Sequence, residues 1–277
     1  MATVRELLGK AAGLPSASAR RDTEILLSHC LARPRSWLYT WPEEAVAAEE
    51  QALFEELLAR RGRGEPVAYL LGSREFWSLQ LAVTDATLIP RPETETLVAW
   101  ALELPLQASA AVLDLGTGSG AIALAVASER SAWRVTAVDS SARALDVARA
   151  NAARHAPNRL RLLQSDWFSA LATERFELVL ANPPYVDPDD PHLERGDLRF
   201  EPRSALASPE QGFADLRRVI TAAPAHLASG GWLLLEHGSE QGDGVRDMLR
   251  CAGFVAVETR SDLAGLERVS GGCLDAE

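Results

Sequence analysis

The 277 residues carry 39 acidic against 28 basic side chains, a formal net charge of −11 that argues against a broad nonspecific nucleic-acid surface. A hydrophobic share of 47% with 24% charged residues is ordinary for a globular chain of one or two domains, and no apolar run is long enough to cross a bilayer. The N-terminus lacks a signal-peptide core, so a cytoplasmic location is expected, while Cys30, Cys251, Cys273 and the scattered histidines indicate neither a disulfide framework nor a metal site.

The first seventy or so residues read as helical. Residues 4–12 form an amphipathic segment ended by Gly13 and Pro15, and Ser18 is expected to cap a second helix with Ile25, Leu26, Cys30 and Leu31 on its apolar side. Pro42 suits the first turn of a third, long helix, with Glu43 and Glu44 at its positive end and Val46, Leu53, Phe54, Leu57 and Leu58 as its stripe. Arg60, Arg61 and Arg63 then make a basic rim, either solvated or a docking surface for a macromolecule. Residues 66–71 read as a short apolar turn and 75–83 alternate as a hairpin does. The run Leu88-Ile89-Pro90-Arg91-Pro92-Glu93-Thr94-Glu95 starts a helix carrying Leu97, Val98 and Trp100, and its position suits the wall of a cleft.

A strand over 111–115 runs into Gly116-Thr117-Gly118-Ser119-Gly120 and then a helix over 121–127. Nineteen residues past Gly120, Asp139 closes a strand over 135–139. That is the plan of a nucleoside-binding βαβ unit, in which glycines admit a ligand to the backbone and the carboxylate meets ribose hydroxyls. Ser140 is expected to cap a helix over 142–152, and a strand over 160–163 leads to Asp166 and Trp167, suited to the amino group and face of an adenine. Core packing is the competing reading for Trp167.

The strand over 176–181 delivers Asn182-Pro183-Pro184-Tyr185 at its carboxyl end, where open α/β sheets bind ligands. Each proline fixes its own φ and holds the preceding residue extended, so the turn is stiff. It can aim the Asn182 carboxamide oxygen and the Pro183 carbonyl at one planar –NH2 group, with the Tyr185 ring as a stacking wall. Alone, the tetrad reads equally well as a β-turn with a surface tyrosine; the glycine unit beside it favours the amine seat. A Pro- and Asp-rich loop over 186–202, a helix over about 212–227, a strand over 232–236, a helix over 245–250 and strands over 254–258 and 266–270 complete the pattern.

Over nearly its whole length the chain resembles the release-factor glutamine methyltransferases, the HemK/PrmC family. The resemblance is carried by residues 66–72, Glu75-Phe76, 88–95, 114–120, 182–185, Phe200-Glu201-Pro202, Glu236-His237-Gly238, Asp262 and Glu267-Arg268-Val269. Ala207-Ser208-Pro209-Glu210 departs from it, since the family more often has a glycine-containing turn there. The resemblance implies an α/β fold: a Rossmann-like S-adenosylmethionine-dependent methyltransferase sheet with helices on both faces, after a small N-terminal helical bundle and a β-hairpin linker. The expected boundaries are 1–72 for a substrate-recognition domain, 73–89 for the linker and 90–277 for the methyltransferase domain. It implies S-adenosylmethionine as methyl donor without a metal, and as partner a class I peptide chain release factor, methylated on the glutamine of its Gly-Gly-Gln motif; no direct nucleic acid or membrane partner is expected. Gly116, Thr117, Gly118, Ser119 and Gly120 match the methionine-side loop, Asp139 the ribose ligand, Trp167 the adenine neighbour, and Asn182, Pro183, Pro184 and Tyr185 the glutamine site. Asn182, Pro183 and Tyr185 are the expected catalytic set, with Asn182 also at the donor. The competing readings are an adenine-amino methyltransferase acting on DNA or RNA and a binding module without activity. Against the first stand the acidic balance and the lack of a basic, aromatic-rich recognition domain; against the second, the intact motifs.

Overall fold

The computed structural model describes residues 1–275. The chain forms two compact units, one of Met1–Ser73 with Glu194–Phe200, the other of Arg74–Leu193 with the chain from Glu201 onward.

The first unit holds helices α1 (Val4–Gly9), α2 (Ala19–Cys30), α3 (Arg35–Thr40), α4 (Ala48–Gly62) and α5 (Val67–Leu71) around Leu7, Leu26, Leu27, Leu38, Phe54 and Leu57. Thr3 and Glu6 close a capping box on α1. Several sequence expectations are corrected here. The long helix begins at Ala48 rather than Pro42, because Val46 donates its N–H to Ala2 O at 2.9 Å and Ala45 bridges Thr3, which holds the segment extended. Its N-terminus is served by Glu50, whose Oε2 accepts from Ala47 N at 3.3 Å, and Leu53 is 43% exposed rather than part of the apolar stripe. Ser18 turns its hydroxyl to Asp22 Oδ1 at 2.8 Å instead of capping the α2 backbone, and Leu27 rather than Ile25 is buried beside Leu26. Residues 66–71 include the helix α5, which stops at Gly72 in the left-handed region (φ +66°). The basic rim is not solvated throughout. Arg61 is buried, with Nε donating to Asp22 Oδ2 at 2.8 Å and Nη1 to Asp197 Oδ1 at 2.7 Å.

In the second unit, a hairpin of β1 (Ser73–Phe76) and β2 (Leu79–Ala82) turns at Trp77 and Ser78, both at positive φ, as the twist of a two-residue hairpin demands. A single 3-10 turn, Pro92–Thr94, leads into α6 (Glu95–Glu103). Then follow β3 (Ala111–Leu115), α7 (Ala121–Glu129), β4 (Arg134–Asp139), α8 (Ala142–His155), β5 (Leu160–Gln164) and β6 (Phe176–Ala181). After a long loop come α9 (Ala214–Ala222), β7 (Leu227–Glu236), α10 (Gly242–Cys251), β8 (Phe254–Ser261) and β9 (Glu267–Leu274). Ser141 rather than Ser140 caps α8, its hydroxyl accepting from Ala144 N at 3.2 Å. The α9 helix ends before Pro224, which has no N–H to extend it.

The seven-stranded sheet has the order β5-β4-β3-β6-β7-β9-β8, parallel except at the β7/β9 and β9/β8 pairs. One face carries Val112, Leu178, Leu180 and Leu234 against Leu97, Trp100 and Leu124 of α6 and α7. The other carries Leu113, Leu115, Val179 and Leu233 against Leu216, Val219 and Val245 of α9 and α10. Covering both faces is what makes β3 and β6 near-continuous apolar runs. The chain winds outward from β3 to β5 and restarts at β6 beside β3, so the switch point lies between β3 and β6.

Candidate active site

Register decides which residues meet at that switch point. Leu115 pairs with Ala181, Ala181 with Leu235, and Leu115 with Val138. The next residues are therefore neighbours along the carboxyl edge: Gly116 after β3, Asn182 after β6, Asp139 at the end of β4 and Glu236 at the end of β7. Over this edge lies a cavity of 410 Å³, whose lining includes Thr94, Gly116, Asp139, Trp167, Asn182 and Pro184.

The glycine loop is fastened from below. Thr117 Oγ1 donates to Asp114 Oδ2 at 2.6 Å, the N–H of Ala123 donates to the same oxygen at 3.2 Å, and Thr117 N donates to Val138 O at 2.9 Å. Asp114 is fully buried, and its Oδ1 has no hydrogen-bond partner among the described residues. Burial pushes the Asp114 carboxyl up to about 7, against the pull of its bonds to Thr117 and Ala123. Sequence reading missed Asp114 as a functional residue, although an acid inside Val112-Leu113-Asp114-Leu115 was the available signal.

Asp139 is tied to the same loop. Its Oδ2 accepts from Gly118 N at 2.9 Å and its Oδ1 from Ser141 N at 2.8 Å. Burial raises its pKa, and the two backbone donors oppose the rise. Gly116 has φ +68°, a left-handed conformation that favours glycine, and a Cβ there would make only ordinary contact with the Trp167 ring at 3.5 Å. Trp167 is itself at φ +50°, held by Ser165 Oγ donating to its carbonyl at 2.7 Å. Trp167 lines the cavity and also packs against the core. Asp166 accepts from Arg218 Nη2 at 2.6 Å, an exposed pair on the cavity rim.

In the tetrad, Asn182 Nδ2 donates to Thr94 Oγ1 at 3.2 Å, while its Oδ1 accepts no bond among the described residues. Asn182 and Pro184 line the cavity, whereas Pro183 and Tyr185 are not among its lining residues. The Tyr185 ring packs against the core, and its hydroxyl donates to Glu236 Oε1 at 3.2 Å. Burial, then the Glu236 charge, lifts the phenol pKa well above its usual value. The stretch before α6 supplies a wall through Pro90, Arg91 and Thr94. Buried Glu201 fixes it, accepting from Ile89 N at 2.9 Å and Arg91 Nη2 at 2.5 Å.

Comparisons with known proteins agree with this architecture. The PrmC N-terminal domain family matches residues 4–72 and the methyltransferase small domain family residues 94–195. The chain is 51% identical over 271 residues to the release factor glutamine methyltransferase of Pseudomonas aeruginosa, covering 98% of each. It is 50% identical to that of Vibrio cholerae over 92% of this chain and 90% of the relative, and 49% identical to that of Escherichia coli over 92% of each. Among solved structures, a methyltransferase from Pyrococcus furiosus superposes with a TM-score of 0.55 at 16% identity, over 83% of this chain and 100% of that one. The hMettl16 catalytic domain gives 0.58 at 13% identity over 78% and 80%, and both likenesses bear on the fold alone. By identity held across nearly its full length, the chain belongs to the release factor glutamine methyltransferase family.

Proposed function

We propose that this chain methylates the side-chain amide nitrogen of the glutamine in the Gly-Gly-Gln motif of class I peptide chain release factors, with S-adenosylmethionine as donor. The observation that carries the reading is the Leu115–Ala181 register, which sets the glycine loop and the free Asn182 oxygen side by side over one cavity. A nucleoside-sized ligand fits this site: the volume lies in the range of small-molecule pockets, and Gly116 and Trp167 lie together in its wall. Gly116 to Gly120 would hold the methionine end, Asp139 the ribose and Trp167 the adenine. When bound, the donor supplies an electrophilic methyl group on a sulfonium.

The chain's own residues orient the acceptor. An amide nitrogen is a poor nucleophile because its lone pair is delocalised. Asn182 Oδ1 and the Pro183 carbonyl accept its two N–H bonds, return electron density to nitrogen and hold it in line with the methyl group. The nitrogen gains a methyl and gives up one proton to these acceptors or to water, so no histidine base is needed. Tyr185, tied to Glu236, stiffens the turn from beneath. The first unit contributes no residue to the cavity lining, and we assign it to recognition of the protein substrate. Work on a translation factor supports a cytoplasmic location for the enzyme; among the described residues no helix is long and apolar enough to cross a membrane.

The test is incorporation of labelled methyl into release factor, DNA and RNA under the same conditions. Label in release factor alone is expected, and label in nucleic acid instead would favour the adenine-amino alternative.

A further inference from the structure

The tetrad ends on a carbonyl that several distant stretches of the chain converge on. Tyr185 O accepts from Gln241 Nε2 at 3.1 Å. The N–H of the same peptide unit, at Val186, donates to Leu206 O at 2.9 Å, and Val186 pairs with Ala207 in an isolated parallel bridge. Gly212 lies so close that a Cβ there would come within 2.0 Å of the Tyr185 oxygen, and its φ of +86° also favours a residue without one. The Tyr185 hydroxyl is held separately, by Glu236 Oε1.

Gln241, the residue before α10, joins these stretches. Its carboxamide makes three hydrogen bonds, all to backbone: Nε2 donates to Tyr185 O and, at 3.3 Å, to Gln211 O, while Oε1 accepts from Gly238 N at 2.8 Å. A carbonyl only accepts and a peptide N–H only donates, so each partner can play one part. The carboxamide therefore has one orientation; the opposite flip would set its oxygen against two carbonyls and its NH2 against an N–H. Glu210, in the stretch that departs from the family's glycine-containing turn, and Gln211 both have φ +56°, which is uncommon for residues with a Cβ. Gln241 takes up the carbonyl that this turn presents.

Only the torsions of Pro184 and Tyr185 separate the Tyr185 carbonyl from that of Pro183. The Pro184 ring fixes one of them, and the Tyr185 side chain is itself tied to Glu236. Little freedom is left to absorb a displacement of the Tyr185–Val186 peptide, so it passes back to Pro183 and Asn182. Gln241 is not among the residues lining the cavity. We propose that Gln241 is a positioning residue for the amide seat, gripping Tyr185 O and so setting the aim of the Pro183 carbonyl and Asn182. It makes no contact with substrate or donor. The kinetic consequence rests on the proposed amide methylation, whereas the grip itself is independent of that reaction.

The experiment uses the full chain at pH 8. Of the three tyrosines only Tyr185 precedes a valine, so 13C-carbonyl tyrosine combined with 15N valine isolates the Tyr185–Val186 peptide as a single NMR correlation. Gln241→Met removes all three carboxamide bonds. Gln241→Glu, ionised at this pH, keeps an oxygen for Gly238 N and puts a second oxygen where the donor stood. The Tyr185 carbonyl signal should shift in both variants. In single-turnover transfer to a release factor both should lower the rate about tenfold, the kind of loss a small misplacement of reacting groups brings, with donor affinity by calorimetry within about threefold of wild type. Gly212→Ala, which drives a methyl group against the same oxygen, should shift the same signal and lower the rate with Gln241 intact. A role confined to tying down the turn before α10 predicts otherwise, since Gln241→Glu retains the Gly238 bond and would behave as wild type. An unmoved Tyr185 signal in Gln241→Met, or a wild-type rate in Gln241→Glu, would overturn the proposal. Wild-type protein that transfers no methyl to release factor would sink the proposed function instead, and the Tyr185 signal would still decide the grip.

Discussion

The Gly118 N–H donates to Asp139 Oδ2 at 2.9 Å, so the glycine loop and the acid at the end of β4 are one hydrogen-bonded unit rather than two separate ligand contacts. Under the proposed function, removing the carboxylate would take away a charged acceptor for the donor's ribose and also release the loop assigned to its methionine end. Asp139→Ala should weaken S-adenosylmethionine binding by about 1.5–3 kcal/mol, the usual scale for a hydrogen bond to a charged group. Titration calorimetry reads this directly, and unchanged affinity would reduce Asp139 to a brace for Gly118.

Asp114 makes stability depend on pH. Its folded pKa, about 7, lies above the ordinary value of 3.8, so between these limits the folded chain holds a proton that the unfolded chain has released. The stabilisation is complete below the lower limit and is lost as pH rises through the upper one, with a slope of at most about 1.4 kcal/mol per pH unit for one group. Glu236, also raised to about 7 by burial, adds a slope of the same sign. Asp114→Asn should flatten the decline in urea midpoint between acid and neutral pH. An identical slope in the variant would show that Asp114 is not the group responsible.

Arg61 and Arg60 are sequence neighbours with opposite fates. Arg61 spans two carboxylates with only 9% of its side chain exposed, whereas Arg60 pairs with Glu65 at 35% exposure. Truncating Arg61 leaves buried Asp22 without its counter-charge, held only by the Ser16 and Ser18 hydroxyls, and losing the charge partner costs up to about 3–5 kcal/mol in comparable buried pairs. Truncating Arg60 removes an accessible pair worth about 1 kcal/mol or less. Hydrogen exchange across α2 in Arg61→Ala and Arg60→Ala should show deep loss of protection in the first and little change in the second. Equal effects would mean Arg61 is stabilised chiefly by its stem packing.

These residues also mark what the sequence makes legible. The Gly116 to Gly120 loop and the Asn182 tetrad are each a contiguous stretch that follows an apolar strand, so local pattern reveals their place at a sheet edge. Arg61 reads as part of a solvated or docking rim because helix-end arginines are usually exposed; its partners lie 39 and 136 residues away and leave no local trace. The Thr94–Asn182 contact, across 88 residues, is hidden for the same reason. Pro42 is a genuine helix-start signal, overridden by the pairing of residues 45 and 46 with the N-terminal segment. Ser140 and Ser141 are equally good caps in composition, and only the geometry of the turn after Asp139 selects the second.

The central claim is that Asn182 seats a glutamine amide for methylation. It is tested most directly by single-turnover methyl transfer to an intact release factor at saturating donor, with the modified residue located by mass spectrometry. The account predicts one methyl group on the glutamine of Gly-Gly-Gln, and in Asn182→Ala a rate lower by about 10²–10³, the scale for losing one preorganised transition-state hydrogen bond. A methyl on any other residue, or a near-normal rate in a folded Asn182→Ala variant, would contradict it.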